Sequence, residues 1–206
     1  ALLDYYLDLS VKAQYHSYEV MNQHVSFLFS SLLTDDCIAR GKALLDGGVR
    51  YLGGTNETYG NINTSDSLWV IRDLVFNQKK YTLRQLNDAM LANFNGYEAL
   101  RKDCLNCDKY GNDLETADTM ANDLYEFVAK GVRDRGIAIG MQYFLIVISN
   151  NQLNTEWGNR TAASPDGRLS CMYMNPANNP QGGANKSGPT AMLNSLAKFD
   201  AKYHGG

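Results

Sequence analysis

Gln142-Tyr143-Phe144-Leu145-Ile146-Val147-Ile148-Ser149 is the one stretch of this chain that reads as a strand without competition. Its centre is a continuous aromatic and β-branched run, without the polar alternation of a half-wetted strand. That is the pattern of a strand buried on both faces, as in the parallel sheets of α/β folds. Around it lie roughly seven segments of helical spacing and only one or two weaker strand candidates. The expected class is therefore α/β and helix-rich, with too few strands to close a sheet alone.

Working back from the strand, Met120, Ala121, Leu124, Phe127 and Val128 mark one side of a long helix. Gly111-Asn112-Asp113 breaks the chain before it, with Gly or Asn in the left-handed conformation and Asp113 placed to cap the helix that follows. A short helix is expected over 97–105. Thr82 caps another, whose apolar face is Leu83, Leu86, Ala89, Met90 and Phe94. From Ser65, the face Leu68, Ile71, Leu74 and Val75 predicts a further helix. Thr34 as N-cap, Asp35 and Asp36 in the first turn and Gly47 as the stop bracket a helix over 35–46. A short strand is expected over 49–52, followed by a turn at Gly53-Gly54-Thr55-Asn56 that matches no phosphate-loop pattern. The first thirty residues read as one or two helices on Leu3, Leu7 and Val11. Beyond the strand, 150–187 lacks periodicity and carries Pro165, Pro176, Pro180, Gly182 and Gly183. An irregular segment of that length is usually functional or disordered. A last helix is expected from Pro189, with Met192, Leu193, Leu196 and Phe199 on its apolar side.

The chain has 206 residues, 44% apolar and 20% charged, enough for a substantial core. A net charge of -3 offers no basic field, so nucleic acid is not an expected partner. No run approaches the roughly 18 apolar residues of a membrane span, and Ala1-Leu2-Leu3-Asp4-Tyr5 is not a signal sequence, so a cytoplasmic location is expected. The absence of a starting Met fits processing or a segment cut from a longer chain. Cys37, Cys104, Cys107 and Cys171 read as reduced thiols, Cys37 as a small core side chain. The sequons at Asn56, Asn63, Asn159 and Asn185 read as chance in an Asn-rich chain.

Candidate sites each carry a plainer reading. Cys104 and Cys107 have the C-x-x-C spacing of redox or metal sites, but no second pair completes four ligands and His16, His24 and His204 are scattered. Coincidence is preferred; a thiol or metal protein is the alternative. In Ser164-Pro165-Asp166-Gly167-Arg168, Arg168 has the guanidinium that grips carboxylates, while Pro-Asp-Gly is equally a turn whose Asp and Arg pair with backbone or with each other. Glu57 and Tyr59 suit acid or base work by type only. Thr190, after Pro189, faces a pocket or caps the last helix.

Several strings occur in a fixed order: Asp35-Asp36-Cys37-Ile38-Ala39-Arg40-Gly41, Gly47-Gly48-Val49-Arg50-Tyr51, Asp66-Ser67-Leu68, Asn93-Phe94-Asn95-Gly96-Tyr97-Glu98, Lys109-Tyr110-Gly111-Asn112-Asp113, Ser164 to Arg168, and Gly188-Pro189-Thr190-Ala191. From about Thr34 onward this order resembles the glycyl radical enzymes of the pyruvate formate-lyase type. The resemblance implies a ten-stranded α/β barrel of two half-barrels, with this chain in the second half. The domain reading is then one partial domain over 1–206: a helical lead-in over 1–33, helices and the buried strand over 34–149, and the long loop with the last helix over 150–206.

The resemblance also implies chemistry. A separate activating enzyme, using S-adenosylmethionine and an iron-sulfur cluster, installs a glycyl radical that passes to a cysteine. That cysteine commonly lies in Gly-Cys-x-Glu, and the glycine in an Arg-Val-x-Gly-Tyr-like loop. Neither string occurs here, so no catalytic, cofactor or metal residue is carried over. The implied function is a segment of a lyase or dehydratase cleaving C-C, C-N or C-O bonds of a small polar metabolite, inactive alone. Its implied partners are the remainder of the parent chain, the activating enzyme and substrate, the parent being a homodimer. The segment from Asn179-Pro180 to Thr190 matches a stretch that approaches the substrate pocket, which makes Thr190, Pro189, Asn179 and Arg168 the pocket candidates. Two departures stand out: Cys107-Asp108 replaces an Ala-Pro, and Asn185 an Asp. Gly-Pro-Thr-Ala leans to the dehydratase and decarboxylase branches. The competing reading is a non-catalytic helical binding module derived from such an enzyme.

Overall fold

Glycine decides where the sheet forms. β2 (Tyr143–Val147) pairs in parallel with β1 (Gly53–Glu57), Gly53 opposite Tyr143 and Gly54 opposite Phe144. A Cβ on Gly53 would sit 2.3 Å from the Tyr143 ring, and one on Gly54 2.6 Å from the Phe144 ring. The two aromatic rings thus cover the positions that the glycines leave open. The expected 49–52 strand therefore appears four residues later, in the segment read as a turn, because backbone accessible to large cross-strand rings outweighs β-propensity here. Residues 148 and 149, expected to complete the strand, lie outside the described residues.

The computed structural model describes residues 2–25, 27–147 and 152–205. They form two compact units: Ala1–Glu57 with Phe127–Val147 and Lys202–Gly206, and Thr58–Glu126 with Ile148–Ala201. In the first unit β2 is central, paired with β1 and bridged at Ile146 to His204. Phe144 and Ile146 are buried while Tyr143 is 41% exposed, so the strand alternates instead of being buried on both faces. Its buried face meets the C-terminal part of α7 (Glu115–Ala138), where Gly136 lies against Phe144. α1 (Leu2–His24) buries Leu7 and Val11, and Gly131 leaves room for Leu7. The Tyr18 hydroxyl donates to Gly53 O at 3.1 Å and Ser10 to Asn56, tying α1 to β1.

The helix expected over 35–46 is broken. After α2 (Leu28–Leu33), Thr34 donates its hydroxyl back to Ser30 O and so caps nothing ahead of it. α3 spans only Cys37–Arg40, because Gly41 adopts φ +61 and turns its N–H onto Cys37 and Ile38 carbonyls. A π-type turn, Leu44–Gly48, follows. Cys37 is buried, as a core thiol should be.

The second unit follows its periodicity more closely. α4 (Asn61–Val70) starts four residues before the expected Ser65 and runs into a π-type turn, Ile71–Asn77. Thr82 and Gln85 close a capping box at the start of α5 (Leu83–Leu91). Val70, Leu74, Leu86, Ala89, Phe94, Leu100 and Cys104 form one core, which includes α6 (Glu98–Asn106). Ile62, Tyr110 and Ala121 form another, joined by Phe199. The Phe199 ring lies 5.5 Å from Tyr110 and 5.2 Å from Tyr125. Two short helical features complete it: α8 (Leu153–Asn159), which the sequence did not announce, and α9 (Gly188–Ala197), which carries Pro189 in its first turn.

Gly54→Val tests the role of glycine in β1. Its branched side chain meets the buried Phe144 ring, and about 2 kcal/mol of overpacking cost is expected despite the better strand propensity of Val. The measurement is the urea midpoint; an unchanged or raised midpoint would refute the cross-strand contact.

Candidate functional site

α4 carries its polar residues inward. Asn63, Ser65, Asp66 and Ser67 are all buried, against the expectation for a helix read from its leucines. Asn63, Asp66 and Ser67 hold irregular chain, whereas Ser65 donates back to Ile62 O within the helix. Asn63 and Asn175 exchange bonds, each backbone N–H donating to the other's side-chain oxygen at 3.2 and 2.7 Å. The Asn63 amide also donates to Asp166 Oδ2 at 2.7 Å and to Gln181 Oε1 at 3.1 Å. Ser67 Oγ accepts the Asp166 N–H, and Asp66 Oδ1 accepts the Tyr110 N–H at 2.9 Å.

The Ser164 to Arg168 string is a buried turn. Asp166 Oδ1 accepts Ser164 Oγ at 2.6 Å and the Arg168 N–H at 3.2 Å. Gly167 takes φ +93, which favours glycine. Arg168, 4% exposed, donates Nη1 to Leu169 O and Met172 O, and Nη2 to Ala162 O. Arg168 thus binds backbone, one of the readings open from sequence, while the Asp166 carboxylate takes the Arg168 N–H together with the Ser164 and Asn63 side chains. Burial pushes the Arg168 guanidinium below its usual range, and the nearby Asp166 charge opposes that shift.

The Lys109 to Asp113 string is the second anchor. Asn112 donates to Lys109 O and Ala184 O, and accepts the N–H groups of Lys186 and Ser187. Gly111, at φ +90, lies against the Pro180 ring, which a Cβ would meet at 2.6 Å. Asp113 does not cap α7: it has φ +57, and its carboxylate reaches Asn194 of the last helix and Lys198 just beyond that helix. Nor does Thr190 cap α9. Ser187 stands at its N-cap without a side-chain bond, and Asn185 accepts the Gly188 N–H at 2.9 Å while its amide donates to Gly111 O at 2.9 Å. An Asp there would lack that donor, so the amide is what this geometry uses.

These elements enclose a cavity of about 410 Å³ within the second unit. α6 forms one wall, the 166–168 turn and Met172 another, and the loop 181–186 a third, with Asp66 and Lys109 also on its lining. Lys109 is buried and donates Nζ to Cys104 O at 2.5 Å and Cys107 O at 3.3 Å. Asp66 Oδ2 has no hydrogen-bond partner among the described residues. Burial pushes the Asp66 carboxyl up to about 7; the Tyr110 N–H and the Lys109 charge oppose this, while Asp166 and Asp118 add to it. Desolvation is therefore the dominant influence.

Of the four pocket residues named from sequence, Arg168 lines this cavity. Asn179 is half-buried in the loop, and Pro189 and Thr190 are exposed in the first turn of α9. Asn63, Asp66, Lys109 and Asn175 were missed as site residues. For Asn63 and Asp66 the signal was the mostly polar run Asn61 to Ser67 inside a helix; Lys109 stood in the string Lys109 to Asp113, and Asn175 in the aperiodic 150–187 segment. The Cys104 thiol is buried and pushed up to about 12 by desolvation, and Cys107 to about 11 by the same cause, so neither is a ready thiolate.

A comparable burial problem is solved differently between α7 and α9. The fully buried Asp118 side chain accepts Lys198 Nζ at 2.7 Å and Ser195 Oγ at 3.0 Å. Lys198 also reaches Asp113 and Glu115, and the Asp118 bond leads in raising its pKa.

The sequence pattern of the Pyruvate formate lyase-like family matches residues 1–153. Trans-4-hydroxy-L-proline dehydratase of Clostridioides difficile is 31% identical over 205 residues, 99% of this chain and 26% of that protein. Isethionate sulfite-lyase of Bilophila wadsworthia (strain 3_1_6) is 31% identical over 187 residues, 89% of this chain and 21% of that protein. The substrate-bound structure of hydroxyproline dehydratase from Clostridioides difficile superposes with a TM-score of 0.93 at 30% identity, over 99% of this chain and 26% of its own. A glycyl radical enzyme from Archaeoglobus fulgidus gives 0.86 at 28% identity, over 95% of this chain and 25% of its own. The chain spans about a quarter of the length of these relatives.

Two measurements check the buried acids. Because the folded Asp66 carboxyl binds its proton up to about pH 7 and the unfolded one only up to about 4, its contribution to stability is fully present below pH 4 and is lost as pH rises to 7. Asp66→Asn keeps an acceptor for Tyr110 but does not ionise. Relative to the parent it gains ~2 kcal/mol between pH 5 and pH 8 in urea titrations; a pH-independent difference would remove the desolvation account. Lys198→Met leaves Asp118 buried with only Ser195 and should cost about 2 kcal/mol. In an Asp118→Asn background the same change should cost much less, as a double-mutant cycle reads.

Proposed function

We infer, for a chain that belongs to the pyruvate formate lyase-like family, that it is one part of a glycyl radical dehydratase or lyase that cleaves a C-O, C-N or C-C bond of a small polar metabolite. The observation that carries this is the likeness to hydroxyproline dehydratase, which covers 99% of this chain but 26% of that enzyme. In this reading residues 1–206 are a partial domain that supplies barrel wall, and the parent is a cytoplasmic homodimer activated by a separate radical S-adenosylmethionine enzyme.

The residues present do not fit the radical centres. No cysteine here stands in Gly-Cys-x-Glu, and no glycine in an Arg-Val-x-Gly-Tyr-like loop, so no step of radical transfer falls to this chain. What it contributes is position. The amide clasps of Asn63 and Asn112 hold the loop 172–187, and Arg168 holds the Met172 carbonyl at its beginning. Arg168, Asn179, Pro189 and Thr190 are the residues of this part proposed to flank substrate.

The test is anaerobic activation. The 206-residue chain alone, given an activating enzyme and S-adenosylmethionine, should give no glycyl radical signal by electron paramagnetic resonance and should not turn over trans-4-hydroxy-L-proline or a vicinal diol. The native polypeptide that contains these residues should give the signal. A radical on the isolated chain, or none on the native polypeptide, would overturn the assignment.

A further inference from the structure

The cavity of the second unit concentrates positive charge in a chain whose net charge is -3. Arg101, Lys102, Lys109, Arg168 and Lys186 line it, against Asp66 and Asp166 alone. Among the described residues none of the five cations has a carboxylate oxygen at ion-pairing distance. The partners of the inner ones are carbonyls: Arg101 Nε donates to Gly167 O at 2.9 Å, Lys109 to Cys104 O and Cys107 O, and Arg168 to three others.

Buried charge without a counter-charge is expensive, and proteins normally pair it. Lys109 is 6% exposed and Arg168 4% exposed, and the nearby Asp166 charge offsets part of that cost for Arg168. The carbonyls satisfy donors but do not neutralise charge. Lys109 commits two bonds of an ammonium that has three donors. Of the two local acids, Asp166 offsets part of the Arg168 charge, while burial pushes the Asp66 carboxyl up to about 7, which leaves Lys109 the buried cation with least compensation. Lys102 and Lys186 are exposed and extend the positive field outward from the cavity. Leu105 and Met172 give the lining an apolar part. A volume of about 410 Å³ lies in the range of small-metabolite sites.

We propose that this cavity binds a small organic anion, its carboxylate or phosphate head held by Lys109 and the surrounding Arg101, Lys102 and Lys186, and its carbon part against Leu105 and Met172. The site shares Arg168 with the reading above but does not depend on radical chemistry, and it stands if that reading fails.

Calorimetric titration of the intact native polypeptide tests it, at constant ionic strength set with chloride. Inorganic phosphate and succinate are titrated separately. Saturable one-site binding of either supports the site, and the tighter arm identifies the head group. Lys102 and Lys186 are exposed, so the double variant K102A/K186A should fold as the parent and bind about fivefold more weakly. Lys109→Met should abolish binding, with its melting curve as the check on folding. Absence of saturable binding in both arms, or an affinity unchanged in K102A/K186A, overturns the proposal; radical formation is measured separately and does not enter.

Discussion

A buried irregular chain must find a partner for every backbone N–H and C=O, and the second unit depends on how that constraint is met. Between α8 and α9 some thirty residues run without a ladder of their own. Some of their polar groups meet in local turns, as the Ser164 N–H does with Arg168 O, and side chains take up others: three carbonyls by Arg168, the Asn175 N–H by Asn63, and two further N–H groups by Asn112. α4 therefore turns amide, carboxyl and hydroxyl groups inward where an ordinary amphipathic helix would turn leucine. The apolar cores fix where the helices lie, and these bonds fix where the loop lies between them.

Two buried carboxyl groups illustrate how a balance of effects is decided. Asp66 has one backbone N–H and, among the described residues, no cation at ion-pairing distance, and desolvation wins, pushing its carboxyl up to about 7. Asp118 has an ammonium in direct contact at 2.7 Å and a hydroxyl at 3.0 Å, and the pair joins α9 to α7. A charge at contact distance and one felt only through space have different consequences in a low-dielectric interior. The positive surplus beside Asp66 follows from the same arrangement.

Much of the second unit was legible in the sequence. Thr82 with Gln85, the apolar face through Leu86 and Ala89, and Pro189 at the start of the last helix act through neighbours three or four residues away, and local spacing records such contacts. The 35–46 helix failed for a reason that is also local but easily overlooked. Thr34 had already spent its hydroxyl on Ser30, and Gly41 was free to end the turn early. The polar lining of α4 was illegible because its partners lie 44 to 118 residues away.

The sequence by itself determined the class, the parallel-type strand, most helices of the second unit and the family, since these rest on periodicity, capping chemistry and the order of short strings. Tertiary structure alone decided that Gly53 and Gly54 form a strand and that Arg168 serves backbone. It also decided that burial pushes the Asp66 carboxyl up to about 7 and that cations gather at one cavity. Each of those depends on which distant groups approach within a few ångströms, and on how much water they exclude when they do.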